Sequence, residues 1–159
     1  IMTTTPAYEV LRLTKLAAEL TDEECHVLAG LVTLRDLKQG ETLAQEGTVD
    51  NHLYVILRGT LGVIKSAGTA QEVTINTLST GDFVGEIAIL CDVPRTATVR
   101  ARSELIALRI AKDVFFQLVQ QFPQISVELM RELAGRLERT NQKLQHAVGE
   151  IKRLSVNPT

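Results

Sequence analysis

Phe83-Val84-Gly85-Glu86-Ile87-Ala88-Ile89-Leu90-Cys91-Asp92-Val93-Pro94-Arg95-Thr96-Ala97-Thr98-Val99 places a Gly-Glu pair at the start of a short apolar turn of helix and a Pro-Arg-Thr-Ala at the start of a strand. A helix opening at Gly85 leaves backbone N–H groups without intrahelical partners, and such groups attract an anion. Glu86 is itself an anion and repels phosphate, but its carboxylate accepts hydrogen bonds from sugar hydroxyls. Arg95 supplies a planar, permanently charged donor suited to a phosphate oxygen, and its charge is expected to serve a ligand more than the core. An N–H nest, a carboxylate and an arginine together describe a pocket for a sugar phosphate with a free hydroxyl. The plainer alternative makes Glu86 and Arg95 an ion pair closing a loop, with Gly85 an ordinary turn glycine tolerating positive φ. A surface ion pair gains little, so that alternative accounts poorly for the constellation.

Around this stretch the chain reads as short alternating runs from residue 31 to 110, cut by glycines at 40, 47, 59, 68 and 81. Strands are expected over residues 31–37, 53–57, 61–65, 72–78, 96–102 and 105–110, with a hairpin tip at 66–70 around Gly68. Even spacing with turn signals implies an all-β sandwich or barrel. Before the strands, Thr21-Asp22-Glu23-Glu24 reads as a capping box opening a helix to about Gly30 that buries Cys25, Leu28 and Ala29. After them, Asp113 is expected to cap a helix with Val114, Phe115, Leu118, Val119 and Phe122 on its apolar side. Pro123 ends that helix and starts the next, since proline is tolerated in a first turn.

Residues 124–154 carry a second signal. Met130, Leu133, Leu137, Thr140, Leu144, Ala147, Ile151 and Leu154 recur at alternating spacings of three and four. A heptad seam that long usually faces another helix. At about 1.5 Å per residue the helix spans roughly 46 Å, which favours a parallel homodimer over a helix folded back on its own domain. Thr140, with Asn141 beside it, interrupts the seam, and one polar seam residue can fix register.

The cassette at residues 85–97 resembles the phosphate-binding cassette of cyclic nucleotide-binding domains, as in catabolite activator proteins and the regulatory subunits of cyclic-nucleotide-dependent kinases. The shared pattern is Gly-Glu, a small and apolar stretch, then Pro-Arg-(Ala/Ser/Thr)-Ala, and it fits without a gap. Lys38-Gln39-Gly40-Glu41-Thr42-Leu43, Gln45-Glu46-Gly47, Leu53-Tyr54-Val55-Ile56 and Arg58-Gly59 also resemble the family's upstream strands, so the likeness runs from about residue 20 to 154. Val84 departs from it, standing where many members carry a second aromatic. The resemblance implies a mainly β fold with flanking helices: an antiparallel jelly-roll β-barrel with N-terminal helices and a long C-terminal dimerisation helix. Residues 7–122 would form the jelly roll with its capping helices and 123–154 the dimerisation helix.

The resemblance also implies site roles. Glu86 would hold the ribose 2′-hydroxyl and Arg95 an exocyclic oxygen of the cyclic phosphate, with the backbone of Ile87, Ala88 and Thr96 completing the cradle between Val84-Gly85 and Ala97. In catabolite activator proteins a Thr-Ser pair on the dimer helix contacts the adenine; here Thr140-Asn141 takes that place. cAMP is the expected ligand, with cGMP second, because a threonine at position 96 can also bond the 2-amino group of a syn guanine.

Composition sets the remaining bounds. A chain of 159 residues with 45% apolar content builds a core, and a net charge of −2 gives no bulk attraction to nucleic acid or acidic membranes. No apolar run reaches transmembrane length and residues 1–10 show no signal-peptide pattern, so a cytoplasmic protein is expected. Cys25 and Cys91 suit a reducing compartment; Cys91 is expected to be a buried, inert thiol. His26, His52 and His146 show no metal-ligand spacing and read as surface or cap histidines, so no metal is expected. With no Walker loop, HExxH or GxSxG, the chain is read as no enzyme. It is read as a cyclic nucleotide sensor, free-standing or part of a larger regulator, that binds no nucleic acid by itself. Two alternatives stand beside that: a structural dimerisation module with an empty cassette, and the regulatory fragment of a larger transcription factor, enzyme or channel.

Overall fold

Period-two alternation puts one face of each strand into a core, and the segments that show it are those that pair. The structure, a computed structural model, describes residues 6–12, 17–18 and 20–156; residues 1–5 of the stretch searched for a leader lie outside them. Two helices come first, α1 (Pro6–Arg12) and α2 (Asp22–Leu31). Eight strands follow: β1 (Thr33–Leu37), β2 (Thr42–Ala44), β3 (His52–Arg58), β4 (Leu61–Lys65), β5 (Val73–Leu78), β6 (Phe83–Val84), β7 (Thr98–Ala101) and β8 (Leu105–Ala111). The helix α3 (Glu86–Cys91) lies between β6 and β7, and α4 (Lys112–Gln121) and α5 (Pro123–Val156) end the chain. Every strand expected from the sequence is present. The additions, β2 and β6, have three and two residues, too short for alternation to register.

The strands form two four-stranded antiparallel sheets, ordered β1-β8-β3-β6 and β2-β7-β4-β5. The sheets are not closed into a barrel, which corrects the expected closed form to a jelly-roll-like pair. The short β6 and β2 stand at sheet edges, where two or three residues cannot carry the continuous ladder that closure requires. Leu37, Leu43, Tyr54, Ile56, Leu61, Leu78, Val99, Leu105 and Ala107 form one buried cluster, contributed by both sheets.

At the N-terminal end Thr21 caps α2, its Oγ1 accepting from the Glu24 amide at 3.2 Å as the capping box predicts. Cys25 and Leu28 are buried beneath it. The seven-residue α1 has too little length for a periodic signal; the resemblance implied N-terminal helices, and no residue pattern placed this one. Arg12 ties it to α2, with Nη2 3.0 Å from Asp22 and Nη1 donating to the Leu20 carbonyl at 2.8 Å. Tyr8 stacks on His26 at 4.0 Å between ring centroids.

The chain divides into two compact units, Ile1–Gln117 and Leu118–Thr159. α4 begins one residue ahead of expectation, so Asp113 sits in its first turn, where a carboxylate faces the positive helix end, instead of serving as the cap. In the second unit α5 runs for 34 residues, about 51 Å. Pairs such as Glu128–Arg131, Glu132–Arg136 and Glu150–Arg153 support it locally. Met130, Leu137, Leu144, Ile151 and Leu154 are each at least 60% exposed, so the helix presents the seam as an open apolar stripe. Among the described residues no helix is long and apolar enough to cross a membrane.

Candidate functional site

β6 pairs with β3 through Tyr54↔Val84 and Val55↔Phe83, and that pairing delivers Gly85 beside His52. Val84 is half-buried and packs against the core cluster without the second aromatic. Gly85 takes a left-handed conformation, φ 101° and ψ 0°, as the N-cap of α3. A Cβ there would overlap the Arg95 guanidinium and lie 2.6 Å from the His52 carbonyl oxygen, so both backbone angle and space call for glycine. The first intrahelical bond runs from the Ile89 amide to the Gly85 carbonyl at 3.2 Å. The amides of Glu86, Ile87 and Ala88 precede it and have no partner within the helix. Glu86 is half-buried, Ile87 exposed and Ala88 buried.

α3 stops after six residues at Asp92, itself left-handed (φ 54°) and 3.1 Å from the Lys112 ammonium. Only Ala88 and Ile89 of this short helix are buried. Cys91, its last residue, is exposed, contrary to the expected buried thiol, and both cysteines are free.

Arg95 arrives on a segment fastened to the β2–β3 loop by two backbone bonds, Arg95 N–H to the Thr48 carbonyl at 2.9 Å and Gly47 N–H to the Arg95 carbonyl at 2.8 Å. Its side chain is buried. Nη2 lies 3.1 Å from Asp50 Oδ2 and donates to the His52 carbonyl, and the guanidinium carbon stands 5.7 Å from the Tyr54 ring centroid. The expectation that this charge serves a ligand more than the core is therefore corrected: it also holds the first residue of β3 to the cassette. Arg95 Nε is buried with no hydrogen-bond partner among the described residues. Buried donors are almost always paired, so this one calls for an acceptor that the described residues do not supply.

Behind Arg95 lies a cluster that sequence reasoning missed. His52 Nδ1 is 2.8 Å from Asp50 Oδ1 and 3.3 Å from Arg109 Nη2, and the Tyr54 hydroxyl donates to Asp50 Oδ2 at 3.4 Å. Burial alone would raise the Asp50 carboxyl, but the His52 hydrogen bond and the Arg95 charge outweigh it and hold the carboxyl below its ordinary range. Burial, followed by the Asp50 charge, pushes the Tyr54 phenol up. His52 is thus neither a surface nor a cap histidine. Its partners come from a loop and from β8, and no spacing within the sequence announces them.

Thr96 is exposed, and its carbonyl accepts from the Lys65 ammonium. Lys65 also stands 3.7 Å from Glu46, which accepts from the Ser66 amide at 3.2 Å. Ala97 is buried where the segment enters β7. The structure therefore brings Val84, Gly85, Glu86, Ile87, Ala88, Arg95, Thr96 and Ala97 together within the first unit. Thr140 and Asn141 belong to α5 in the second unit and are exposed; Thr140 Oγ1 donates to the Arg136 carbonyl at 2.8 Å. Among the described residues no group of three or more His, Cys, Asp or Glu could hold a metal ion.

Comparison with known proteins bears on the family and the fold. A family model described as cyclic nucleotide-binding domain matches residues 34–122. The chain is 31% identical over 109 residues to a CRP-like cAMP-activated global transcriptional regulator of Mycobacterium tuberculosis, an overlap of 69% of this chain and 49% of that one. It is 28% identical over 135 residues to a cAMP-dependent protein kinase regulatory subunit of Blastocladiella emersonii, covering 85% of this chain and 31% of that one. Among solved structures, a cyclic nucleotide-binding domain from Methylobacillus flagellatus superposes with a TM-score of 0.70 at 23% identity, over 86% of this chain and 79% of that one, and shares the fold. The chain thus spans about half the length of the mycobacterial regulator and a third of the kinase subunit. With the family model covering more than half of its residues, the chain belongs to the cyclic nucleotide-binding domain family.

Proposed function

We propose that this chain is a regulatory sensor of cAMP, with cGMP as a second ligand, acting by binding and not by catalysis. The observation that carries this reading is the pairing of the Gly85 cradle with Arg95, whose buried Nε lacks an acceptor among the described residues. Arg95 takes an exocyclic phosphate oxygen, and the backbone of Ile87, Ala88 and Thr96 completes the cradle. Glu86 takes the ribose 2′-hydroxyl; Val84 and Ala97 shape the walls. The named functions of the relatives, a cAMP-activated regulator and a kinase regulatory subunit, support a regulatory role. The net charge of −2 supports a chain that binds no nucleic acid alone, and two free cysteines suit a cytoplasmic site of action.

The ribose assignment is tested with Glu86→Ala. Loss of a hydrogen bond to a charged group is expected to weaken cAMP by roughly 10- to 150-fold, from about 1.5–3 kcal/mol. The variant should also lose the wild type's preference for cAMP over 2′-deoxy-cAMP. Titration of both ligands into both proteins decides: equal wild-type affinity for the two removes the ribose role.

For the output, we assign the exposed seam of α5 to a parallel homodimer and give Thr140 and Asn141 the contact with the base. Ligand then shifts the dimer or partner state only through differential affinity for two arrangements. Leu137 and Leu144 lie one seam step on either side of Thr140. Replacing both with Glu sets like charges opposite one another, and sedimentation velocity should find monomers where the wild type is dimeric. A monomeric wild type contradicts the assignment.

A further inference from the structure

His52 Nδ1 has two neighbours with incompatible demands. Asp50 Oδ1 at 2.8 Å can only accept, and Arg109 Nη2 at 3.3 Å can only donate. One ring nitrogen cannot serve both. With a proton on Nδ1 the ring donates to Asp50 and turns away the Arg109 donor. With Nδ1 bare the ring accepts from Arg109 and leaves Asp50 Oδ1 without that bond. Asp50 is the carboxylate that also holds Arg95, through Oδ2 at 3.1 Å. The state of His52 is therefore felt, through one shared carboxylate, at the arginine of the cassette.

We propose that His52 is a positioning residue for the nucleotide site, whose protonation loosens the hold of Asp50 on Arg95 and so tightens the binding of a cyclic phosphate. The inference rests on the reading of Arg95 as the phosphate ligand. Its sign follows from charge. An imidazolium carries the Nδ1 proton, as the neutral Nδ1–H tautomer also does, and adds a full positive charge that offsets part of the charge of Asp50. Arg95 is then less compensated by its protein partner and more attractive to an anion, and the imidazolium adds positive potential of its own.

The ring is surrounded by several ionisable groups. The charged groups nearest the ring are Arg109 from β8, Asp50 from the β2–β3 loop and, on that same carboxylate, Arg95 from the cassette. Tyr54 on β3 lies 6.4 Å away between ring centroids and, with its phenol pushed up, stays neutral, with Arg35 of β1 acting on that same phenol. α3, which packs against β3, contributes Glu86 and Cys91 as its titratable side chains. Asp50, held below the ordinary carboxylate range, remains ionised while imidazoles titrate.

The test is the cAMP dissociation constant of the full chain from about pH 8 to about pH 5.5, the range in which histidines change charge. Wild-type affinity should rise about fivefold on acidification, at the low end of usual site-to-site couplings. His52→Gln should bind with a flat profile, while His26→Gln keeps the step. By reciprocity, wild-type binding near neutral pH should take up a fraction of a proton, read by calorimetry in buffers of different ionisation enthalpy. That measurement decides the question even if His52→Gln does not fold. Binding that is measurable but independent of pH, or a step that survives in folded His52→Gln, overturns the inference alone. No binding at any pH overturns the site reading and this inference together.

Discussion

Arg95→Gln is expected to abolish most cyclic nucleotide affinity and, in the same protein, to lower stability. The first effect is the loss of a charge-assisted bond to phosphate, about 1.5–3 kcal/mol, or roughly 10- to 150-fold in Kd. The second follows from what the guanidinium holds in the absence of ligand: Asp50 at 3.1 Å and the His52 carbonyl, from a position 5% exposed. A shorter neutral amide leaves Asp50 a poorly compensated, partly buried carboxylate, at a cost of about 1–3 kcal/mol. Thermal unfolding should fall by roughly 2–12 °C. Adding Asp50→Asn removes the stranded charge, so the double variant should regain stability without regaining affinity. Recovery of both would mean that Arg95 acts only through the fold.

Gly85→Ala is expected to damage stability and nucleotide binding together. Two independent costs meet at that position. Alanine at φ 101° is strained by about 1–3 kcal/mol, and its Cβ would overlap the Arg95 guanidinium while lying 2.6 Å from the His52 oxygen. Gly40, at φ 91° with nothing within 4 Å of an added Cβ, separates the two. Gly40→Ala should show the strain alone and bind cAMP normally. Gly85→Ala should be less stable and bind at least about tenfold more weakly, because Arg95 must move. Chemical denaturation and calorimetry of the pair check this. Equal losses of stability and normal binding in both would remove the close approach at Gly85 from the account.

The cassette was legible because its parts are local in the chain. Gly85, Glu86 and the following amides are set by one helix start, and Arg95 lies nine residues on. The strands around residues 61–65 and 105–110 announced themselves by alternation, and the capping box at Thr21 by its residue types. What stayed hidden depends on register between distant segments. His52 meets Arg109 because β3 runs antiparallel to β8, with Tyr54 opposite Arg109, and Asp50 reaches Arg95 because the β2–β3 loop is bonded to the cassette. Neither pairing leaves a trace in spacing, so His52 read as a surface residue and Arg95 as a ligand group alone. Cys91 was expected to be buried and inert because no His or Cys partner stands near it in the chain, which says nothing of exposure; α3 ends at Cys91 and leaves it exposed.

The most direct test of the account is calorimetric titration of cAMP into the wild type and into Arg95→Gln/Asp50→Asn. The account predicts saturable one-to-one binding per chain in the wild type, and a folded double variant of near-native melting temperature with binding at least about tenfold weaker. A wild type that releases no heat and gains no thermal stability with cAMP or cGMP would contradict the account, as would a double variant that binds as tightly as the wild type.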